Sequence, residues 1–332
     1  MILKITPLRL VFVGLAAVLA GMQILRVGMC PTSQRELVVQ RTSEDGASKG
    51  NKPRDENICV LTVEASARSV NSHPDLARVF ENAELNADIS WTPATRPFAF
   101  AAAANNAKYC SAHGYRFIFS ALSWPVPVHW ARILATKVAL ESCDYVLYLD
   151  SDVVLHDHSK SLDFLIESLR PPSKKIISIA SQSSDVANNC MDVDWTCAAR
   201  WCADLPEEKQ SCHVNTGVYL VRRSPEATQM LRQWFLSLDQ TDDRDKGRFH
   251  ADNGWRLHDQ VGFNLAVMPQ YMKEGLVDLR NFEEMNSWGP FTTHYSGVVE
   301  RYERIVAEVA AIVKKAQQPD GAGRWWNSFG WC

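Results

Sequence analysis

Tyr145-Val146-Leu147-Tyr148-Leu149-Asp150-Ser151-Asp152 joins five apolar or aromatic residues to a turn carrying two acids. A run that is apolar throughout, without the alternation of a strand with one wet face, predicts a strand over 145–149 buried on both faces. Such strands belong to α/β sheets, where ligands collect outside the carboxyl ends. Asp150 and Asp152 stand there. The bare Asp-x-Asp pattern selects nothing, because 21 aspartates in 332 residues make about one pair by chance, and the chain has three, at 150/152, 192/194 and 243/245. Position selects the first. Two carboxylates at a strand mouth repel unless a cation compensates, and a hard divalent ion held by oxygens is the natural partner. The plain alternative is a solvated turn.

The surrounding chain alternates strand and helix patterns. Ile58–Val63 is a short β-branched run, and Arg116–Ser120 a second strand. The Ala-rich stretch 98–112 predicts a helix that Gly114 ends. Trp130, Ile133, Leu134 and Val138 have helical spacing over about 128–141. Residues 162–169 read as helix, 176–179 and 217–221 as strands. Ser224-Pro225-Glu226 opens a further helix with a cap, a proline and an acid in its first turn. The expectation is an α/β domain with a mostly parallel central sheet.

The N-terminal third of the story is compartment. Residues 10–25 (LVFVGLAAVLAGMQIL) carry no charge, with Lys4 and Arg9 before them and Arg26 after. This predicts a signal-anchor helix over 10–26, a cytosolic tail over 1–9 and a luminal body, a type II arrangement. The rival is a signal peptide cleaved after Val18-Leu19-Ala20. Residues 27–56 are largely polar and read as a flexible stem, leaving 57–332 as one luminal domain. Nine cysteines suit an oxidising lumen. At least one disulfide is expected within Cys190, Cys197, Cys202 and Cys212, whereas Cys143, beside an apolar strand, reads as a buried free thiol. Zinc is disfavoured there by the lack of a Cys-x2-Cys pair. With 35 basic against 38 acidic residues, the chain lacks the positive surplus of a nucleic-acid binder.

Further candidates lie downstream. Asn215-Thr216-Gly217 stands immediately before the strand 217–221, where an Asn can orient sugar hydroxyls and a Gly permits close approach. Asp259-Gln260 begins a helical run, so Asp259 is either its N-cap or a catalytic acid. His294 sits in a β-like run and is either a core histidine or a ligand for a manganese-like ion.

Taken in order, Asn106-Ala-Lys-Tyr-Cys-Ser-Ala-His-Gly-Tyr115, Trp130-Ala-Arg132, Tyr148-Leu-Asp-Ser-Asp152, Asn215-Thr-Gly217, Asp259-Gln260 and His294-Tyr-Ser-Gly297 resemble glycosyltransferase family 34. These are Golgi α-galactosyl-, α-mannosyl- and xyloglucan α-xylosyltransferases of the GT-A fold, and the resemblance covers about 58–297. It implies a nucleotide-sugar donor, UDP-sugar first among them, a glycan acceptor, and a divalent ion, Mn²⁺ or Mg²⁺. It implies that Asp150, Asp152 and His294 hold the ion, and that Asp150, Ser151, Asp152 and Arg132 line the donor. Asp259 and Gln260 would then flank the reacting sugar and Asn215 the acceptor side. It further implies a retaining reaction in the Golgi lumen and leaves open homo- or hetero-oligomers with other glycosyltransferases. The chain departs from the family at Val298 and Val299, where Cys-Lys is usual, and at Arg132, where Lys is usual. Arg132 therefore either compensates for the missing cation or is a helix-surface charge. Two rivals remain. Asp150-x-Asp152-x-Val154 also fits a haloacid-dehalogenase-like phosphatase with Asp150 as nucleophile, though the later Lys and Gly-Asp-x-x-x-Asp set is missing. The other is a non-catalytic, lectin-like Golgi protein.

Overall fold

The strand 145–149 forms as expected, extended by one residue to Tyr145–Asp150, and it occupies the middle of a six-stranded sheet. The computed structural model describes residues 56–67, 75–84, 97–124, 126, 128–194, 212–239, 258–286, 289–295 and 300–316. The signal anchor, the stem up to residue 55, Cys197, Cys202, Asp243, Asp245, Val298 and Val299 lie outside them. Among the described residues, no helix is long and apolar enough to cross a membrane. The chain divides into a unit over 36–312 and one made of 1–35 with 313–332. Only 313–316 of the latter is described, as the end of a helix, and everything below concerns the former.

In chain order the elements are β1 (Ile58–Ala67), α1 (Leu76–Glu81), α2 (Pro97–His113), β2 (Arg116–Trp124), α3 (Ala131–Leu140), β3 (Tyr145–Asp150) and β4 (Val153–Leu155). There follow α4 (Asp163–Ile166), β5 (Ile177–Ser181), α5 (Val186–Asn189), β6 (Val214–Arg222), α6 (Pro225–Leu236) and α7 (His258–Ala266). The described chain ends with α8 (Met268–Lys273), β7 (Val277–Arg280), α9 (Phe282–Met285), β8 (Thr292–His294) and α10 (Arg301–Ala316). The main sheet runs β2-β1-β3-β6-β5-β7. Pairs β1/β2, β1/β3 and β5/β7 are parallel, while β6 is antiparallel to both its neighbours. The expectation of a mostly parallel α/β sheet is therefore borne out, with one reversed strand that sequence did not indicate.

Side-chain alternation explains why β3 carries no polar residue before Asp150. Val146 and Tyr148 enter one apolar layer with Ile133, Leu134, Trp234 and Phe263 of α3, α6 and α7. Tyr145, Leu147 and Leu149 enter the opposite layer with Tyr109 of α2 and Leu165 of α4. Burying both faces leaves the strand ends as the only place for charge. Gly114 ends α2 with φ 71°, a left-handed turn that favours glycine. Ser224 caps α6 by accepting from Ala227 N, as its sequence predicts.

Three expectations change. Strand β6 begins at Val214, so Asn215 and Thr216 lie within it rather than before it. The stretch 162–169 is a single α-helical turn followed by a 3-10 turn. Cys143 is not a free thiol: it is bonded to Cys59 on β1, and Cys110 is the buried free cysteine among the described residues. Apolar surroundings suit a disulfide as well as a thiol, so burial alone could not separate them. The second disulfide, Cys190–Cys212, bears out the expectation for the cysteine-rich insertion.

Candidate active site

The reversed strand assembles the site. Because β6 runs against β3, its beginning lies at the carboxyl end of β3, with Val218 opposite Leu149 and Gly217 next to Asp150. Strands β4 and β8 form a small antiparallel pair just beyond, in which Val153 faces His294. The Tyr295 amide donates to the Asp152 carbonyl at 3.1 Å, closing that pair onto the acidic turn. Residues 142 positions apart in sequence, Asp152 and His294, thereby meet. Nε2 of His294 lies 3.3 Å from Asp152 Oδ1 and 3.7 Å from Asp150 Oδ2. Of the other acid pairs, Asp192 and Asp194 are exposed, so position in the fold separates the first pair from the second.

Arg132 is not a surface charge. It is buried, and its Nη1 lies 3.0 Å from Asp150 Oδ1 while donating to the Thr216 carbonyl at 2.9 Å. Its Nε donates to the His129 carbonyl at 3.0 Å and lies 3.4 Å from Asp259 Oδ2. The guanidinium also sits over the Tyr148 ring, 5.3 Å from its centroid. Tyr148 in turn donates its hydroxyl to Asp150 Oδ1 at 2.7 Å. The backbone thus holds Arg132, and Arg132 with Tyr148 holds one oxygen of Asp150, leaving Asp150 Oδ2 toward His294.

Asp259 lies in the first turn of α7, which starts at His258, so it is not the N-cap. Its Oδ2 accepts from Thr216 Oγ1 at 3.1 Å, and its carbonyl accepts from Trp234 Nε1 at 2.7 Å. Gln260 accepts from the Thr216 amide through Oε1 at 3.4 Å, while its buried Nε2 finds no partner among the described residues. A buried amide donor left open costs about 1–3 kcal/mol unless something outside the protein accepts from it. Asn215 turns its Oδ1 back to accept from the Gly217 amide at 2.8 Å, which limits what that oxygen can offer a ligand. Ser151 is half-buried between the two acids.

Sequence reasoning missed Asn286. This fully buried residue follows α9, and its Oδ1 lies 2.6 Å from Nδ1 of His294. Its Nδ2 donates to the Asn215 carbonyl at 3.3 Å. Nothing in the local run Glu284-Met-Asn-Ser287 signals that contact; only the strand pairing brings it about.

The electrostatics are unbalanced toward negative charge. Burial is the larger influence on Asp150 and raises its carboxyl above the ordinary value, despite Arg132, His294 and Tyr148 pulling the other way. Burial opposes charge on His294, yet Asp152 and then Asp150 outweigh it and raise the imidazole. One ligand atom each from Asp150, Asp152 and His294 lie within 4.8 Å of one another, a spacing a single ion can bridge. Two carboxylates and an imidazole fit Mg²⁺- or Mn²⁺-like ions. Gly217 fits the same picture, because a Cβ there would stand 2.4 Å from His294 Cε1 and 2.9 Å from Asp150 Oδ2, inside the cluster. Only glycine leaves that space open.

With this geometry in place, comparison with known proteins is informative. The model of the galactosyl transferase GMA12/MNN10 family matches residues 86–276. No curated protein sequence matches. Among solved structures, the chain is similar to a glycosyltransferase involved in glycosylation of the major capsid of PBCV-1, at 17% identity and TM-score 0.45, covering 75% of this chain and 98% of that one. It is also similar to the galactosyltransferase LgtC in complex with donor and acceptor sugar analogs, at 12% identity and TM-score 0.37, covering 76% and 95%. GlyE of Streptococcus pneumoniae TIGR4, a glycosyltransferase, aligns at 15% identity and TM-score 0.36, covering 79% of this chain and 63% of its own. The family match takes in Arg132, Asp150, Asp152, Asn215, Asp259 and Gln260 and stops short of Asn286 and His294.

Proposed function

We propose, from the premise that this chain belongs to the galactosyl transferase GMA12/MNN10 family and is a glycosyltransferase, that it uses a divalent ion held by Asp150, Asp152 and His294 to transfer a sugar from a nucleotide diphosphate to a glycan. The observation that carries the metal part is the cluster itself: three ligand atoms within 4.8 Å, around a glycine that keeps the space clear. A bound ion supplies Lewis-acid compensation for charge gathering on the leaving diphosphate. Mn²⁺ suits the mixed oxygen and imidazole set, with Mg²⁺ the alternative. UDP-sugars are the donors we favour, followed by GDP-sugars, with a hexose or pentose moved to the acceptor.

The protein's own groups divide the remaining work. Arg132 holds Asp150 by its oxygen facing away from His294 and supplies permanent charge beneath the site. The open Nε2 of Gln260 is a donor for a sugar hydroxyl or ring oxygen. We assign a retaining reaction by front-face displacement rather than through a glycosyl-enzyme on Asp259. That carboxylate is buried, and its Oδ2 is engaged by Thr216 and Arg132, which makes it a poor free nucleophile. Asn215 orders the strand start beside the acceptor side through its bond to the Gly217 amide. The phosphatase reading asks for a free nucleophile at Asp150, whose Oδ1 is already held by Tyr148 and Arg132.

A luminal, type II placement in the Golgi membrane rests on the uncharged run 10–25 and agrees with two disulfides in a body that a reducing cytosol would not favour. The test uses the detergent-solubilised full chain in thermal melts with UDP, Mn²⁺, both or neither. We expect a raised melting temperature with both together, well above either alone. No response to the pair or to GDP with Mn²⁺, or an equal response to inorganic phosphate with Mg²⁺, would overturn the proposal.

A further inference from the structure

We propose that Asn286 is a positioning residue that fixes which nitrogen of His294 faces the two carboxylates. The inference deepens the metal reading above and concerns the chain's own residues at that site.

Donors and acceptors fix the hydrogen on Nδ1. A backbone carbonyl only accepts, so the Asn286 group 3.3 Å from the Asn215 carbonyl must be the NH₂ end. The other end, Oδ1, then faces Nδ1 of His294 at 2.6 Å. An amide oxygen also only accepts, so Nδ1 must carry the hydrogen. In neutral imidazole one nitrogen bears hydrogen and the other a lone pair. A bound ion would therefore meet the lone pair on Nε2; without one, Nε2 faces Asp152 at 3.3 Å and Asp150 at 3.7 Å, carboxylate oxygens that only accept, so hydrogen is favoured on both ring nitrogens. The carbonyl of a β6 residue thus dictates, through one side chain, the state of a group on β8.

The opposite arrangement is costly. Flipping the amide would set oxygen against the carbonyl, and the other tautomer would set lone pair against lone pair at 2.6 Å. Asn286 and Thr292 are buried at 0% and 1% exposure, so water offers little relief. The backbone reinforces the placement. Asn286 N donates to the Phe282 carbonyl at 3.0 Å, and Thr292 Oγ1 donates to the Met285 carbonyl at 2.8 Å, tying the turn after α9 to the strand that carries His294. Partners of this kind orient metal-bound histidines generally, and their loss typically weakens metal binding by about 10–100-fold.

The experiment uses the full chain in detergent with ¹⁵N-labelled histidine. His294 is assigned by the signal missing from His294→Gln. Without metal, wild type should show hydrogen on Nδ1, which Asn286→Leu should lose while keeping hydrogen on Nε2 toward Asp152. Mn²⁺ affinity, read from the paramagnetic resonance of the free ion, should fall about 10–100-fold in Asn286→Leu. Asn286→Asp keeps an acceptor toward Nδ1 and should stay well above the Leu variant. Thr292→Val, which loosens the same turn without touching the amide, should leave tautomer and Mn²⁺ affinity as in wild type. A wild-type ring without hydrogen on Nδ1 overturns the proposal whether or not any variant folds. So does Mn²⁺ affinity unchanged in Asn286→Leu, or an equal loss in Thr292→Val, which would make the effect one of packing. Failure of the metal reading looks different: wild type would bind no Mn²⁺, while the Nδ1 hydrogen would still appear.

Discussion

Two acidic clusters lie near the sheet, and they are built in opposite ways. Asp278 on β7 faces Lys175 Nζ at 2.6 Å, Arg280 Nε at 2.6 Å, Ser168 Oγ at 2.7 Å and Ser178 Oγ at 3.0 Å. One carboxylate thus has two cations and two hydroxyls. Burial pushes its pKa up, but Lys175, Ser168 and Arg280 win and hold it below the ordinary value. At the mouth of β3, Arg132 pairs with Asp150 and lies 3.4 Å from Asp259, His294 faces both Asp150 and Asp152, and Asp150 ends above its ordinary value. The first cluster is complete. Among the described residues the second holds more acids than cations, a balance that suits a ligand site better than a structural ion pair.

The sharpest way to break this contrast is to exchange one acid in each cluster for a neutral residue and follow Mn²⁺. Asp152→Asn should lower Mn²⁺ affinity by at least about 100-fold, exceeding the usual loss for an outer partner. Without metal, the variant should be as stable as wild type or more so, since it relieves repulsion between two carboxylates. Mn²⁺ titration followed by thermal melts of the apo protein would read both. Undiminished affinity would mean that the excess of acids is not what binds the ion.

Asp278 should behave in reverse. Asp278→Ala takes the carboxylate from Lys175, from Ser168 and Ser178 and from Arg280, of which Arg280 keeps Glu284 at 3.3 Å and Ser168 the Leu165 carbonyl at 2.9 Å. Lys175 is 40% exposed, so solvent would recover part of the loss. We expect about 2–3 kcal/mol less stability in urea, below the 3–5 seen for wholly buried pairs, with the response to Mn²⁺ and UDP intact. If the Mn²⁺ response vanished while stability held, the roles of the two clusters would have to be exchanged.

How each cluster could be read from sequence follows from its wiring. Asp150 and Asp152 were legible because both follow an apolar run directly, and because a strand buried on two faces can place charge only at its ends. Asp278, in Val277-Asp-Leu-Arg280, offers no such contrast, and its partners come from 103 and 110 positions away. Arg132 was legible as a charge but not as a buried one, since its burial depends on Asp150 and on the Thr216 carbonyl. The reversal of β6 decides which residues meet Asp150, yet no residue in Val214–Arg222 encodes direction; the sheet order does. Asn286 and the Cys59–Cys143 bond failed for the same reason. Each is a contact between distant segments, invisible to spacing.

A third charged group, weaker than either, should respond to pH instead of metal. His156 follows β4 and its Nδ1 lies 3.3 Å from Glu308 Oε1 on α10. Glu308 also accepts from Thr293 Oγ1 at 3.1 Å and from the Tyr295 hydroxyl, the residues on either side of His294. The Glu308 bond is the largest influence on His156 and raises it above 6.5. Burial disfavours charge on Glu308, but His156, Tyr295 and Thr293 hold it below 4.5. A raised histidine contributes fully below its unfolded value, and the contribution fades as pH climbs through the folded one. A depressed carboxyl contributes above its unfolded value and fades as pH drops through the folded one. The attraction is therefore greatest between the ordinary values, 4.5 and 6.5. Glu308→Gln keeps the hydrogen-bonding shape without the charge, so it should cost about 1 kcal/mol in that window and progressively less in alkaline buffer. Urea unfolding of both proteins from about pH 5 to about pH 9, which brackets the histidine's ordinary titration, would trace the difference. A cost that stays constant across the series would mean that Tyr295 and Thr293 hold α10 by hydrogen bonds alone, with no ionic part.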